Sequence, residues 1–190
     1  TIGNNELFCK DLGLDLSKAA YVDTVSNFPV ENRKIFLKYA GIFNYANKDT
    51  FLKSAVKIID DIIDSYPKNY KGVIHTSNYE QSYYIERNSR HKDRIYTHFS
   101  KDKDNVLSSF MTSTSGILCS PSCKEGLDLK GDLCRFQIIL KCPWGDLSDK
   151  VTKKRLDLEG GREWYTNEVC KNIEQAYGRG VRSETDKCDC

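Results

Sequence analysis

The chain has 190 residues, of which 39% are hydrophobic and 29% charged, with 12 glycines and 4 prolines. This composition excludes collagen-like, low-complexity and disordered classes, and the length fits one domain with a core of its own. The formal net charge is +2, so bulk charge predicts no nucleic-acid partner, although a local basic strip is compatible with it. There is no apolar run near the roughly 18 residues that span a bilayer and no signal-peptide pattern. We therefore expect no membrane partner and an intracellular protein, cytoplasmic or nuclear.

Apolar spacing and helix breakers predict the secondary structure in chain order. The apolar run Ile35-Phe36-Leu37, between lysines, predicts an early strand. An amphipathic helix is expected over 48–65, ending before Pro67. Beyond it the pattern predicts a strand over 71–77, a helix over 79–88, a strand over 94–99, a helix over 104–111, strands over 116–119 and 135–142, and a helix over 162–177.

This alternation of short strands with helices predicts an α/β fold, a mostly parallel sheet with helices on both faces. In such sheets ligands bind at the carboxyl ends of the strands, so the chemistry is expected in the loops after Ile74, Cys119 and Cys142. Without repeats or flexible linkers, residues 28–190 are interpreted as one domain and residues 1–27 as a connecting segment packed on its edge. Because the chain begins at Thr1 and its only methionine is Met111, we expect an excerpt, a processed product or a truncated form of a longer protein.

The eight cysteines favour reduced structural thiols over disulfides or a metal site, which are the alternatives. The sequence contains no C-x-x-C pair, and Cys188-Asp189-Cys190 is too tight for a usual zinc knuckle. Several other cysteines lie in apolar runs, where a thiol acts as a small hydrophobe. The three histidines are isolated in sequence, which favours structural roles for them.

Two loops after predicted strands carry polar groups suited to a ligand. The first, His75 to Asn78, offers hydroxyl and amide groups to a phosphate or ribose oxygen, and its alternative role is an ordinary helix N-cap. In the second, residues 120–129, Gly126 allows close approach of the backbone, and Glu125 and Asp128 can position a water, a metal or an arginine. The alternative for this second loop is an acidic turn without function.

A third stretch closes the last predicted helix with Gly178-Arg179-Gly180-Val181-Arg182. The two arginines are three residues apart, so helical geometry would place them on one side, where a guanidinium pair can bind a phosphate. The alternative is a solvated basic terminus that complements the helix dipole. The chain has no Gly-x-x-x-x-Gly-Lys-Ser/Thr loop, so it is not expected to hold a nucleotide's phosphates alone.

Taken in order, these stretches resemble the C-terminal RecA-like motor domain of superfamily 2 helicases of the XPD/DinG group. Gln175-x-x-Gly178-Arg179-x-x-Arg182 matches helicase motif VI, Q-x-x-G-R-x-x-R, at every fixed position. The segment 125–128, Glu-Gly-Leu-Asp, resembles the E-G-[IV]-D core of motif V, with leucine as a mild departure. Residues 73–78 resemble motif IV and residues 1–2 the end of motif III, so the resemblance covers nearly the whole chain.

The resemblance implies the second half of an ATP-dependent DNA helicase, with a RecA-like sheet and no Walker A loop of its own. The Walker loop, the Mg²⁺-binding acidic box and, in much of the group, an iron–sulfur cluster belong to a preceding RecA-like domain. ATP and Mg²⁺ would bind mainly there, so this chain is expected to hold no metal and to be inactive alone. The group usually has another strand after motif VI. Because the chain ends at Cys190, we expect a short or edge-exposed sheet.

The resemblance also implies roles for individual residues. Arg182 would be the arginine finger, Arg179 a second γ-phosphate ligand, and Gln175 would orient one of these groups or the attacking water. The nucleotide-binding set would further include Gly178, Glu125, Gly126 and Asp128. The backbone of single-stranded DNA, with RNA not excluded, would be held by Thr76, Ser77, Asn78 and Ser120. The alternative function is a non-catalytic RecA-like module for nucleic-acid or protein docking, which the intact motif VI disfavours.

Overall fold

Four short parallel strands form the centre of the molecule. The structure is a computed structural model that describes residues 3–24, 26–44, 46–122 and 128–190. The strands are β1 (Gly72–His75), β2 (Ile95–Tyr96), β3 (Ile117–Ser120) and β4 (Phe136–Ile139). Their order is β2-β3-β1-β4, and every neighbouring pair is parallel. The predicted α/β fold with a parallel sheet is confirmed.

Six α-helices occur within the described residues. They are α1 (Asn5–Asp11), α2 (Lys48–Asp64), α3 (Tyr79–Asn88), α4 (Lys103–Thr112), α5 (Lys150–Leu156) and α6 (Gly161–Tyr177). The helical spacing of the apolar residues in α2 predicted it correctly, since Leu52, Val56, Ile59 and Ile63 are all buried. Neither α1 nor α5 was predicted, because each has seven residues and too few apolar positions to show a period.

The helices cover both faces of the sheet, as predicted. Neighbouring strand residues point to opposite faces, so Ile74 and Val73 belong to different clusters of the core. Ile74 packs in a cluster that includes Ile59 of α2 and Ile85 of α3. Val73 packs in a cluster that includes Phe110 of α4 and residues of the chain after α6.

The last residues of the chain extend the sheet beyond β4. Asp189 forms a parallel bridge with Phe136, in which the Gln137 backbone N donates to the Asp189 carbonyl at 2.7 Å. The Phe36 backbone N in turn donates to the Cys190 carbonyl at 2.6 Å. The sheet is short, as expected, and its outer edge at β4 is partly covered, because Asp189 pairs with that strand at Phe136.

The early strand predicted around Ile35-Phe36-Leu37 does not form. Residues 34–44 form no helix or strand. The residues Ile35, Phe36 and Leu37 are exposed by 55%, 57% and 94% of their surface. Two backbone hydrogen bonds to Cys190 are the ladder contacts of this segment. The apolar run therefore looked like a buried strand although it lies at the outer edge of the sheet.

The segment assigned to the first 27 residues packs on the final helix. Asn4 caps α1 by accepting from the backbone N of Glu6 and Leu7, and its own backbone N donates to Asn167 Oδ1 of α6 at 3.1 Å. The division into a connecting segment and a domain over 28–190 stays a prediction.

Candidate nucleotide and nucleic-acid site

The two loops predicted to carry polar ligand groups start side by side at the carboxyl edge of the sheet. His75 and Ser120 are partners in the β1–β3 register, so the two strands end level with each other. The Thr76 backbone N then donates to the Ser120 carbonyl at 3.2 Å. The sheet therefore brings together the loop that resembles motif IV and the start of the loop that resembles motif V.

Two of the four residues predicted to bind nucleic acid use their hydroxyl groups inside the protein. Thr76 is 3% exposed and shares a 2.7 Å hydrogen bond with Ser82 Oγ. Ser120 is completely buried, and its Oγ lies 2.8 Å from His98 Nε2. Both hydroxyls therefore fix the loops, and neither faces a ligand directly. The His98 contact was not predictable because nothing near His98 in sequence indicates Ser120.

Ser77 and Asn78 are exposed at the same edge. The Asn78 side chain accepts from the Gln81 backbone N at 2.9 Å, so the N-cap alternative is confirmed for this residue. The Ser77 backbone N donates to Gln81 Oε1 at 2.9 Å, and its hydroxyl has no hydrogen bond among the described residues. Ser77 is thus the predicted contact whose hydroxyl is accessible to a ligand.

Residues 175–182, which resemble motif VI, begin in the last turn of α6 and continue beyond its end. The helix ends at Tyr177, and Gly178 closes it by donating its backbone N–H to the Glu174 carbonyl at 3.0 Å. Gln175 lies in the last turn and is partly buried, whereas Arg179 lies in the following turn. The helix ends at the predicted residue and stops before both arginines, so helical spacing does not set their relative direction.

Arg182 is held beside Asp128 by contacts that leave it accessible. Arg182 Nε lies 3.5 Å from Asp128 Oδ1, and the two side chains are 37% and 63% exposed. The Arg182 backbone N donates to Asp186 Oδ2 at 3.0 Å, which fixes the loop. Two predicted site residues from distant parts of the sequence are therefore in contact. Exposed ion pairs contribute about 0–1 kcal/mol, so a multiply charged anion can compete for Arg182.

Glu125 and Gly126 lie outside the described residues, as do residues 1–2 and the rest of segment 123–127. The predicted roles of Glu125 and Gly126, and the resemblance of residues 1–2 to motif III, therefore stay predictions.

A buried glutamine that the sequence analysis missed connects β1 to the end of α6. Gln137 of β4 is 3% exposed, and its Nε2 donates to the Tyr177 carbonyl at 2.8 Å. Its Oε1 accepts from His75 Nε2 at 3.0 Å, which gives His75 the structural role predicted for it. A single glutamine in the apolar run 136–140 was the available signal.

Gly180 is buried where no side chain fits. A Cβ at Gly180 would lie 2.2 Å from Cys188 Sγ and 2.9 Å from Gln137 Nε2. Cys188 itself is in contact with Cys134 at a sulfur separation of 3.6 Å. The second glycine of the motif therefore permits the loop that carries Arg182 to pack against β4 and the last residues of the chain.

No disulfide forms among the described cysteines, which are Cys9, Cys119, Cys134, Cys142, Cys170, Cys188 and Cys190. Burial and the neighbouring Cys188 raise the pKa of Cys190 to about 12, so this thiol stays protonated near neutral pH. Across the described part of the chain, no three potential His, Cys, Asp or Glu ligands converge on a metal position. Cys123 lies outside that part.

Comparison with known proteins gives one family. The family model described as the helicase C-terminal domain matches residues 59–189, more than two thirds of the chain. The match starts within α2 and covers all four strands, the loops described above and Asp189. A search of curated proteins finds no match. None of the helices in the described ranges has the length and apolar character needed to cross a membrane.

Proposed function

The chain belongs to the helicase C-terminal domain family of XPD/DinG type, and on that basis we propose that it is the second motor domain of an ATP-dependent DNA helicase. Its partner in the motor would be a preceding RecA-like domain that holds ATP and Mg²⁺. The observation that carries the proposal is the contact of Arg182 with Asp128, because it joins the segments resembling motifs VI and V at an accessible position.

Arg182 acts in this proposal on the γ-phosphate of ATP bound across the domain cleft. Its side chain is more than one third exposed, and among the described residues its ion-pair partner is the exposed carboxylate of Asp128. A triphosphate carries more negative charge than that carboxylate, so the guanidinium can exchange partners and neutralise the charge that develops in hydrolysis. Mg²⁺, when bound with the nucleotide, supplies further neutralisation of the phosphate oxygens.

Two neighbours of Arg182 complete the proposed set. Arg179, in the turn after α6, is a second ligand of the γ-phosphate, and Gln175, in the last helical turn, orients an arginine or the attacking water. Gly178 is the C-cap of α6, so Arg179 and Arg182 lie beyond the end of the helix. Gly126 and Asp128 couple the state of the nucleotide to the binding of single-stranded DNA, and Glu125 belongs to the nucleotide-binding set.

Single-stranded DNA is the proposed nucleic-acid partner, with RNA as the alternative strand. The exposed residues Ser77 and Asn78 contact its backbone at the carboxyl edge of the sheet. Thr76 and Ser120 support that edge from within through their buried hydroxyl groups. We do not assign these two a direct contact with the strand.

The test is hydrolysis of ATP by the full-length protein with saturating single-stranded DNA, comparing wild type with Arg182→Ala. Loss of an arginine finger lowers kcat by about 10³-fold or more. The matched control is Arg162→Ala, which removes an exposed arginine from the opposite end of α6 and should leave kcat unchanged. ATP affinity, measured separately with a fluorescent nucleotide, should change much less than kcat.

Equal kcat values for wild type and Arg182→Ala would contradict the proposal. Such a result would assign the arginines to structure or docking and would favour the non-catalytic module. Thermal unfolding of both variants checks that a loss of hydrolysis does not come from a loss of fold, since an exposed ion pair contributes only about 0–1 kcal/mol.

A further inference from the structure

A groove between α1, α5 and α6 lies outside every motif discussed so far. Its cavity volume is about 690 Å³. We call it the α5 groove and define it by its principal lining residues, Leu7, Lys10, Lys150, Val151, Lys154 and Trp164.

The α5 groove lies in the direction of the carboxyl end of β4. Helix α6 runs back along this strand, since Tyr177 at its end is bound by Gln137 in the first half of β4. Tyr165 at its start donates to the Gly145 carbonyl at 2.6 Å and packs on Trp144 at a ring separation of 5.0 Å, in the segment that follows β4 by five to six residues. The start of α6, and with it the groove, is therefore on the side of the sheet where β1 ends and Ser77 is proposed to contact single-stranded DNA.

The charge of the α5 groove favours an anion. Lys10, Lys150 and Lys154 are exposed, and among the described residues none of them forms an ion pair. Arg155, which also lines the groove, is already paired with Asp11. Three lysines thus face the one further carboxylate of the lining, that of Glu159. Lys150 and Lys154 are four residues apart on α5 and so lie on the same side of the helix.

The α5 groove also offers flat and apolar surface beside these charges. The Arg155 guanidinium lies 4.1 Å from the centre of the Trp164 ring, and the arginine side chain is 36% exposed. A guanidinium plane held in this way can stack on a base, as aromatic rings do. Val151 adds exposed apolar surface at 73%. Free phosphate would use the lysines alone, whereas a nucleic acid uses both the lysines and a stacking surface for a base.

We propose that the α5 groove is a second contact for single-stranded nucleic acid. Lys10, Lys150 and Lys154 bind consecutive parts of the phosphate backbone, and the Arg155–Trp164 pair receives a base. The inference rests on the proposed function, because it extends the path of the bound nucleic acid from Ser77, at the carboxyl edge of the sheet, to the start of α6.

The test measures affinity of the full-length protein for a fluorescein-labelled oligothymidine at several salt concentrations. The variant Lys150→Ala/Lys154→Ala removes two phosphate contacts, so the slope of log K against log salt should become shallower by about 1.4, at about 0.7 per contact. The control Lys53→Ala/Lys57→Ala removes two exposed lysines with the same spacing from α2 and should keep the wild-type slope. Hydrolysis of ATP without nucleic acid should be the same for all three proteins.

Equal slopes for the groove variant and wild type would overturn the inference while leaving the Arg182 test untouched. Loss of binding to phosphatidylserine vesicles, with the oligothymidine slope unchanged, would also overturn it in favour of a lipid. A wild-type protein that binds no oligothymidine would contradict both this inference and the proposed function. A shallower slope for the groove variant alone supports the α5 groove, whatever the Arg182 variant shows.

Discussion

Replacing Gly180 with alanine tests the packing beneath the arginine loop. The new methyl carbon would lie 2.2 Å from Cys188 Sγ and 2.6 Å from Cys188 Cβ, so Sγ would need to retreat by about 1.2 Å to reach an ordinary contact of 3.4 Å. Cys134 Sγ lies 3.6 Å from that sulfur. Overpacking of this kind costs about 1–3 kcal/mol in the free energy of unfolding. For a chain of this length that corresponds to a fall in Tm of roughly 2–12 °C.

The assay is urea unfolding of the chain under reducing conditions, followed by circular dichroism. The matched rescue is Gly180→Ala/Cys188→Gly, which removes both close cysteine atoms and leaves room for the methyl group. The double variant should be more stable than the sum of the two single effects predicts, by about 1 kcal/mol or more. Strict additivity, or a Gly180→Ala variant as stable as wild type, would refute the packing described for this loop.

Two further predictions concern buried and exposed polar groups. Lys71 is 5% exposed, and its Nζ donates to the carbonyls of Phe110, Met111 and Ser113 at 2.7, 3.1 and 3.2 Å. Lys71→Met removes these hydrogen bonds and should lower the free energy of unfolding by about 1.5–3 kcal/mol. Exposed Lys101→Met is the control, and equal urea midpoints for the two variants would contradict the role of Lys71 as a cap of α4. Iodoacetamide at pH 8 should modify the exposed Cys142 and Cys170 well before Cys190, because the raised pKa of Cys190, about 12, leaves little thiolate until the pH approaches that value. Mass spectrometry of timed samples measures the order, and labelling of Cys190 at the rate of Cys142 would show that its pKa is not raised.

The regular elements with a clear apolar period were predictable from the sequence. The helix α2 follows from its apolar spacing, and the α3 helix begins at Tyr79 because Asn78 caps it, both of which need only local information. The segment around Phe36 was mistaken for a strand because a short apolar run does not reveal whether a neighbouring strand covers it. In the structure its neighbour is Cys190, at the other end of the chain.

The candidate site was predictable in its members but not in its geometry. The motif spacing indicated Arg179 and Arg182, but both lie beyond the end of α6, so the helical period does not give their directions. The buried contacts of Ser120 with His98 and of Gln137 with Tyr177 depend on how strands and helices pack, which no local pattern contains. Residue identity therefore indicated the chemistry, whereas burial decided which hydroxyl groups a ligand can reach.

The most direct measurement of the central claim is the kcat of the full-length Arg182→Lys variant at saturating ATP and single-stranded DNA. Lysine keeps the positive charge and can keep an ion pair with Asp128, but it lacks the planar, multiply donating guanidinium. If Arg182 acts on the γ-phosphate, kcat should fall by about tenfold or more although Tm stays at the wild-type value. A variant that retains full hydrolysis would show that charge pairing with Asp128 is what the position requires, and it would contradict the role of Arg182 as an arginine finger.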